Sequence, residues 1–462
     1  MLIKPRLLKK KLVAVTVMIP SVFGVSAHAA GFQLNETSTS LQGTAMAGSA
    51  VQINDVSAMF SNPATLSTLN GLQAYVGASQ IFPNMCMDGG EAVHTFNVPG
   101  TPLSSFTTTV SGDTHRNNLN KSVFIPNGYI GWHFFDNKFS VGVAVLEPYY
   151  MSNNYSRDSV LRFAAVKSEI NSVNINPSIA YQINEQWSLG VGFQAQYLKT
   201  EFTNFNGIYT ASPALDTYLT ATRPSYIEGD NWGYGYTLGA LYQPNQLTRL
   251  GIGYRSQISS RQMGYAEQYM LPGELLVQAP ADTFLANVES YATTNLKTPA
   301  MLTMSAARDI NEWTVKATAQ VSFWSRMNRF NIETPDGFNQ LSVGPMKWRD
   351  AWFGALGVDY RVNPSWVARG GIAYDETPAS NRYNDPRFPD AGRVLLNFGL
   401  SYVVNKYLSF DGAYSHIFMN EQRQHATQVA LGESSRVQEV NQVSAKYKGS
   451  GDVVALAVRY TA

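Results

Sequence analysis

Five histidines and one cysteine are the side chains after residue 30 with the chemistry of a catalytic base, a nucleophile or a metal ligand. They are His94, His115, His133, His416, His425 and Cys86. No histidine pair has the H-E-x-x-H spacing of a zinc site, no G-x-S-x-G serine motif occurs, and the cysteine has no obvious base. A Ser–His pair assembled across strands stays open, but nothing positive predicts an enzyme, a metal or a cofactor.

Three arginines carry the other chemistry of interest, because a planar guanidinium binds a carboxylate through two parallel hydrogen bonds. Arg255, Arg369 and Arg393 each lie in a segment of alternating character, on the side that carries small and polar residues. We expect Arg255 and Arg369 to pair with acidic groups of neighbouring segments. What these arginines do depends on what the alternating segments build.

The alternating segments are predicted β-strands with one apolar face. From Trp232 to Tyr242 the even positions are aromatic or apolar, and the odd positions are mostly glycine or threonine. Successive side chains of a strand point to opposite faces, so such a segment has one apolar side and one side of small residues. The same pattern recurs at 187–197, 394–402 and 408–415.

Composition favours a transmembrane β-barrel over a soluble sandwich. The 462 residues include 25 Tyr, 23 Phe, 8 Trp and 36 Gly, and only 15% are charged. The mean hydropathy is −0.16, which is compatible with a barrel because alternating strands hide their hydrophobicity from window averages. Aromatic residues at the ends of the apolar stripes, such as Trp187 with Tyr197, match interfacial girdles. The formal charge of +1 gives no reason to expect a nucleic-acid partner.

The first 29 residues are predicted to be a cleaved export signal. A positive stretch (4–11) precedes an apolar core (12–25), and Ala27-His28-Ala29 matches the small-x-small cleavage pattern. The apolar core is shorter than the ~20 residues that a membrane-spanning helix needs. We therefore expect an exported bacterial protein.

Turn and loop lengths predict about fourteen antiparallel strands between Leu72 and Tyr460. Short turns near 184, 243, 309, 362 and 404 alternate with long connections near 84–121, 202–230, 262–290, 331–344, 377–389 and 420–439. Short turns on one side and long loops on the other are typical of outer-membrane barrels. Such a barrel is too wide for its own side chains to fill. We expect residues 72–462 to form it, and a lumen this wide must be closed by a plug.

The segment before the barrel, 30–71, is rich in small residues and contains the sequence FSNPATL at 60–66. Asp55 is expected to cap a short helix that ends near Phe60, and Pro63 prevents that helix from continuing.

Several separated motifs resemble the FadL family of outer-membrane transporters of long-chain fatty acids and other hydrophobic compounds. They are AGFQLNETS (30–38), SNPA (61–64), GDNWGYGYTLGALYQ (229–243), YRSQI (254–258), LKTPAMLTMSAA (296–307), RDAWFGALGVDYRVNPSWVARGGIAYDETP (349–378) and FPDAGR (388–393). The resemblance implies a 14-stranded antiparallel outer-membrane β-barrel whose lumen is plugged by an N-terminal, mostly helical hatch, residues 30–71. It also implies capture of a hydrophobic ligand at the outer loops, transfer to a luminal pocket, and lateral exit at a kink in the third strand.

The resemblance assigns roles to residues of this chain. For the luminal pocket we expect Arg393, which matches the family's Pro-Asp-x-x-Arg loop, together with Phe32 and Lys199, although the parity of Lys199 places it among the outward side chains. The third strand is predicted at 138–147, where Pro148 cannot donate a ladder hydrogen bond. The kink and gate residues are Pro148, Tyr149, Asn62, Pro63 and Ala64. The apolar entry loops supply Phe202, Phe205, Leu215, Tyr269, Leu275, Leu276 and Phe284.

Function is accordingly expected to be passive uptake of hydrophobic molecules by a monomeric channel. Long-chain fatty acids are the first choice of ligand, and aromatic hydrocarbons are the alternative. A general porin is disfavoured, because porins have charged rings in an open lumen and no plug, whereas a plug is predicted here. The other expected partners are outer-membrane lipid and the barrel-assembly machinery, although the chain ends in Tyr460-Thr461-Ala462 rather than in an aromatic residue.

Overall fold

Fourteen antiparallel strands close into a barrel in the computed structural model of the chain. The structure describes residues 31–97, 105–134, 138–210, 219–268, 288–327, 332–333, 340–342, 346–431 and 438–462. The predicted export signal, 1–29, lies outside these ranges. The barrel closes where the first and last strands pair, with Ala74 opposite Tyr460. The predicted 14-stranded antiparallel barrel is thus confirmed.

We number the barrel strands in chain order. They are β1 (Leu72–Asn97), β2 (Val123–Phe134), β3 (Phe139–Leu146 and Tyr150–Asn154), β4 (Lys167–Gln182), β5 (Trp187–Thr210), β6 (Leu219–Asn245), β7 (Thr248–Arg255 and Ile258–Gln268), β8 (Val288–Thr298 and Met301–Ile310), β9 (Trp313–Ser322), β10 (Ala351–Asn363), β11 (Trp366–Asp375), β12 (Arg393–Val403), β13 (Leu408–Leu431) and β14 (Gln438–Thr461). Shorter pieces are the strands Ser105–Thr109, Ile332–Glu333 and Gln340–Ser342 and a 3-10 helix at Trp324–Arg326.

The two-residue alternation sets which side of each strand faces outward. On β6, Trp232 and Tyr234 are 42% and 63% exposed, whereas the inward Thr237 is fully buried. Aromatic pairs lie beside the short turns, and Trp187 with Tyr242 (ring centroids 4.4 Å apart) is one of them. These pairs form the interfacial girdle expected of an outer-membrane barrel. None of the helices in the described ranges is long and apolar enough to cross a membrane.

Residues 31–71 lie inside the barrel, and we call this segment the hatch. It contains a short α-helix, α1 (Thr39–Gln42), and 3-10 helices at Val56–Phe60 and Pro63–Thr68, joined by turns. The predicted cap is confirmed, because the Asp55 side chain accepts a hydrogen bond from Ser57 N. Wall glycines allow close approach of the hatch: a Cβ on Gly371 would collide with the backbone of the hatch.

Several strands, among them β1, β5, β6, β7, β13 and β14, are longer than predicted. The connections predicted near 84–121, 202–230 and 420–439 are partly strand, because these ladders continue to Asn97, Thr210 and Leu431. The alternation of apolar and small residues fades there, since a strand beyond the membrane has no lipid face. The placement of Phe202 and Phe205 in a loop is therefore wrong: both are buried side chains of β5.

The wall is interrupted in β3. The predicted third strand matches the segment Phe139–Leu146, after which Glu147, Pro148 and Tyr149 leave the ladder. The strand resumes at Tyr150–Asn154 but pairs there only with β4. The pairing of β2 with β3 ends at Asn127, so the two strands separate beyond that point.

Candidate functional site

An aromatic cage lies inside the barrel beside the break in β3. Its members are the buried rings of Phe32, Tyr149, Trp324, Trp348 and Phe388. Phe32, from the start of the hatch, is at the centre, with ring centroids 4.9 Å from Trp324, 5.8 Å from Tyr149, 6.2 Å from Trp348 and 6.3 Å from Phe388. Phe202 packs against Phe388 at 5.7 Å. A hydrophobic ligand thus meets a set of rings from five separate parts of the chain.

A cavity of about 150 Å³ adjoins the cage. Its apolar lining includes Phe32, Leu34, Ile81 and Phe388. An apolar cavity of this size holds one benzene-sized molecule. A longer ligand needs the hatch or a neighbouring loop to move.

The polar wall of the cavity contains Arg393, Glu36 and Asp390. Arg393 does not present a free guanidinium, because its Nη2 lies 2.9 Å from Asp375 Oδ2. Asp390 belongs to the connection between β11 and β12 and accepts a hydrogen bond from Gly31 N at 2.8 Å. Burial raises the pKa of the Asp390 carboxyl to about 7. Lys121 also lines the cavity, which therefore combines an aromatic face with a face of two carboxyl groups and two cations.

The start of the hatch fills the break in β3 by backbone pairing. Leu34 N donates to Pro148 O at 2.9 Å and Tyr150 N donates to Phe32 O at 3.1 Å. Gln33 and Tyr149 form an antiparallel bridge between these bonds. The hatch thus takes the place of the missing neighbour strand.

The Asn-Pro motif of the hatch contacts the barrel wall at β5 and β6. Asn62 Nδ2 donates to Ala50 O within the hatch at 2.8 Å and to Ala240 O of β6 at 2.9 Å. Pro63 and Ala64 lie against Gly190 of β5, where a Cβ would collide with them. The hydrogen bonds to the break itself come from residues 32–34, not from Asn62. A gating role for Asn62, Pro63 and Ala64 stays a prediction.

Lys199 is not part of the luminal site. It lies on the outward face of β5, half-exposed, with its Nζ 2.5 Å from Glu228 Oε1 on β6. Its neighbours in sequence, Leu198 and Thr200, are the buried inward residues. The expectation of a luminal lysine is therefore wrong, because no bulge shifts the register of β5 here.

Two of the predicted entry-loop residues lie in the described part of the chain, in different buried clusters. Phe202 joins the cage, and Phe205 packs in a separate buried cluster with Phe163 and Tyr155. Leu215, Tyr269, Leu275, Leu276 and Phe284 lie outside the described residues. Their role in ligand entry stays a prediction.

Trp324 and Trp348 are cage residues that sequence reasoning missed. They lie beyond the end of β9 and before the start of β10, where no alternation marks them. The weak sign available was a tryptophan followed by polar or charged residues, in FWSR and KWRD, near the ends of predicted strands.

An apolar outer face, aromatic girdles and an aromatic interior define the chain as an outer-membrane transporter of hydrophobic compounds. The family model described as outer membrane protein transport protein (OMPP1/FadL/TodX) matches residues 21–461, and the chain belongs to this family. These are transport proteins and not enzymes.

Relatives and solved structures agree with the family. The chain is 27% identical to the long-chain fatty acid transport protein of Salmonella typhi, over 89% of this chain and 92% of that protein. It is 26% identical to the long-chain fatty acid transport protein of Escherichia coli K12, over 89% of this chain and 92% of that protein. A Pseudomonas aeruginosa FadL homologue has the same fold, with a TM-score of 0.79 and 22% identity over 94% of this chain and all of that chain. The Ralstonia pickettii toluene transporter TbuX has a TM-score of 0.56 and 18% identity, over 88% of this chain and 94% of that chain.

Proposed function

We propose that this protein takes up long-chain fatty acids passively and releases them laterally through the break in β3. The single observation that carries the proposal is the pairing of residues 32–34 with Pro148 and Tyr150. It makes the break an opening that the hatch closes and that a ligand reaches from the adjacent cage. Withdrawal of the hatch start then joins the cage to the outer leaflet.

Fatty acids are the preferred ligand for two reasons. The relatives in Salmonella typhi and Escherichia coli are named as long-chain fatty acid transport proteins and align over most of both chains. The lumen also contains arginines, Arg255 among them, and a guanidinium is a suitable partner for a carboxylate.

Aromatic hydrocarbons are the second candidate, favoured by the size of the cavity. A volume of about 150 Å³ beside Phe32 suits a single ring without movement of the hatch. A hydrocarbon also has no charge to be repelled by Glu36 or Asp375.

Uptake in whole cells tests the proposal. Cells that lack the protein are compared with cells that express wild type or Arg393→Ala, using labelled oleate and labelled toluene. We expect faster oleate uptake with wild type than without the protein. If neither compound enters faster, the transport of these ligands is refuted. Leakage of a hydrophilic sugar through the intact protein would instead support a porin.

The proposed route needs one chain, because the break, the cage and the hatch all belong to the same barrel. We therefore propose a monomer, inserted by the barrel-assembly machinery and surrounded by outer-membrane lipid. Cross-linking in the membrane tests the monomer directly, and a uniform dimer band would contradict it.

A further inference from the structure

Arg255 is a buried luminal cation held only by neutral groups. Its side chain is 6% exposed, Nη1 donates to Phe60 O of the hatch at 3.0 Å, and Nη2 donates to Gln194 Oε1. The guanidinium lies 3.7 Å from the centroid of the Phe60 ring. Among the residues that the structure describes, no carboxylate comes within ion-pair distance of it. The expected acidic partner is therefore not there, and burial of an unpaired charge is costly.

Other luminal cations have the acidic partners that Arg255 lacks. Arg249 lies on the same strand and the same face, and its Nη2 is 2.8 Å from Asp309 Oδ1. Arg369 Nε lies 3.6 Å from Asp359 Oδ1, and Arg369 Nη1 lies 3.6 Å from Asp411 Oδ1. The lumen can thus supply carboxylates for its arginines, and the surroundings of Arg255 do not.

Arg255 ends a row of inward residues that are direct partners across four neighbouring strands. Ser178 of β4 is opposite Gly192 of β5, Gly192 is opposite Thr237 of β6, and Thr237 is opposite Arg255. The Ser178 and Thr237 hydroxyls are buried without a hydrogen-bond partner. Gly192 keeps the space between them, since a Cβ there would collide with both hydroxyl oxygens. The row thus places two unused hydroxyl donors, on β4 and β6, in register with Arg255 on β7.

The row borders the aromatic cage. Met301 of β8 is the partner of Arg255 on its other side, and its Sδ lies 3.9 Å from the hydroxyl of the cage residue Tyr149. A ligand can therefore place an apolar chain in the cage and a polar head against the row.

We propose that Ser178, Thr237 and Arg255 form an anion subsite for the carboxylate of an amphipathic monocarboxylic acid whose chain lies in the cage. This inference rests on the proposed function and names the group that separates acids from hydrocarbons. A carboxylate makes hydrogen bonds to a guanidinium that are about twice as strong as those of neutral acceptors. It therefore replaces Phe60 O and Gln194 Oε1. Since Phe60 lies two residues before Asn62, head-group binding frees the hatch at its Asn-Pro motif.

Binding to purified full-length protein in amphipol tests the subsite. Labelled oleate is compared with methyl oleate, which has the same chain but no charge, in wild type, Arg255→Met, Thr237→Val and the control Arg249→Met. We expect the ratio of oleate to methyl oleate affinity to fall at least about ten-fold in Arg255→Met, where the charge is lost. We expect a fall of about three-fold in Thr237→Val, where one hydrogen bond is lost. Arg249→Met should keep the wild-type ratio.

Three outcomes overturn the inference. An unchanged ratio in Thr237→Val and Arg255→Met means that the row does not bind the head group, and Thr237→Val decides alone if the arginine variant does not fold. An equal fall in Arg249→Met means that luminal positive charge in general, and not this row, selects acids. If wild type binds neither ligand, the proposed function fails together with the subsite. Binding of both ligands with no change in the variants refutes the subsite alone.

Discussion

Leu34 N and Pro148 O are joined by a hydrogen bond of 2.9 Å that links the start of the hatch to the break in the barrel wall. Pro148 has no N–H to offer a neighbouring strand, yet its carbonyl is available. The hatch uses that carbonyl and so pairs with a segment that β2 does not reach. Closure of the break therefore depends on main-chain contacts whose loss can be engineered one at a time.

Leu34→Pro should open the break more often, because it removes the N–H that pairs with Pro148 O. One hydrogen bond contributes about 0.5–1.5 kcal/mol, so the open fraction should rise about two- to ten-fold. The measurement is the initial rate of toluene or oleate uptake in cells, which should increase. Leu34→Ala is the control, since it shortens the side chain and keeps the N–H. Equal rates for the two variants would show that this bond does not limit uptake.

Phe32→Ala should increase the affinity for monoaromatic hydrocarbons several-fold. The Phe32 ring occupies the centre of the cage, 4.9 Å from the Trp324 ring, and an incoming ring has to displace it. Truncation adds its volume to the adjacent cavity. Toluene binding to purified protein measures the effect. Leu69→Ala, a truncation of a buried hatch residue in a different cluster, is the control. Weaker toluene binding in Phe32→Ala than in wild type would show that the ring is part of the ligand's contact surface instead.

Asn62→Ala should loosen the hatch while the barrel stays folded. It removes the bonds to Ala50 O and Ala240 O and leaves buried carbonyls without a donor, at a cost of about 1–3 kcal/mol. Hydrogen exchange of residues 50–64 should become faster, and uptake should change. Asn70→Ala, at the exposed end of the hatch, is the control. Hydrogen exchange at the wild-type rate would show that the Asn-Pro motif forms a turn but does not hold the hatch in place.

The start of the hatch should become less stable as the pH rises, because ionisation of the buried Asp390 carboxyl is unfavourable. Burial raises the pKa of the Asp390 carboxyl to about 7, above its ordinary value of about 4. The folded state thus favours the protonated carboxyl. Its stabilising effect is complete below about pH 4 and is lost progressively up to about pH 7.

Hydrogen exchange of residues 31–34, corrected for intrinsic rates, should therefore accelerate between pH 5 and 7. Asp390→Asn should flatten this dependence, whereas Asp350→Asn, a substitution in another connection, should leave it. The same pH dependence in wild type and Asp390→Asn would assign it to another group.

Local sequence patterns predicted the strands of this molecule that have one face in contact with lipid. Trp232, Tyr234 and their neighbours alternate because each strand has one face in the bilayer, and that period is visible in a short stretch of sequence. The cage has no such period, since Phe32, Tyr149, Trp324 and Phe388 come from the hatch, a strand break, a 3-10 helix and a connection. The neutral surroundings of Arg255 depend on which strands neighbour one another. For Lys199, the alternation along the strand was a better guide to its position than the family resemblance.

The wall residues that face the hatch are mostly small or polar. Glycines such as Gly190 and Gly371 accommodate its backbone, and side chains such as Gln194, Asn397 and Ser415 are hydrophilic. We infer that selectivity for hydrophobic compounds resides in the hatch and in the aromatic residues around its start. The inner face of the barrel wall is itself largely hydrophilic. A barrel stripped of its hatch would admit sugars and salts and lose its preference for hydrophobic molecules. Substitutions in the hatch and in the few aromatic residues around its start could therefore change which compounds pass, without changes to the lipid-facing residues of the barrel.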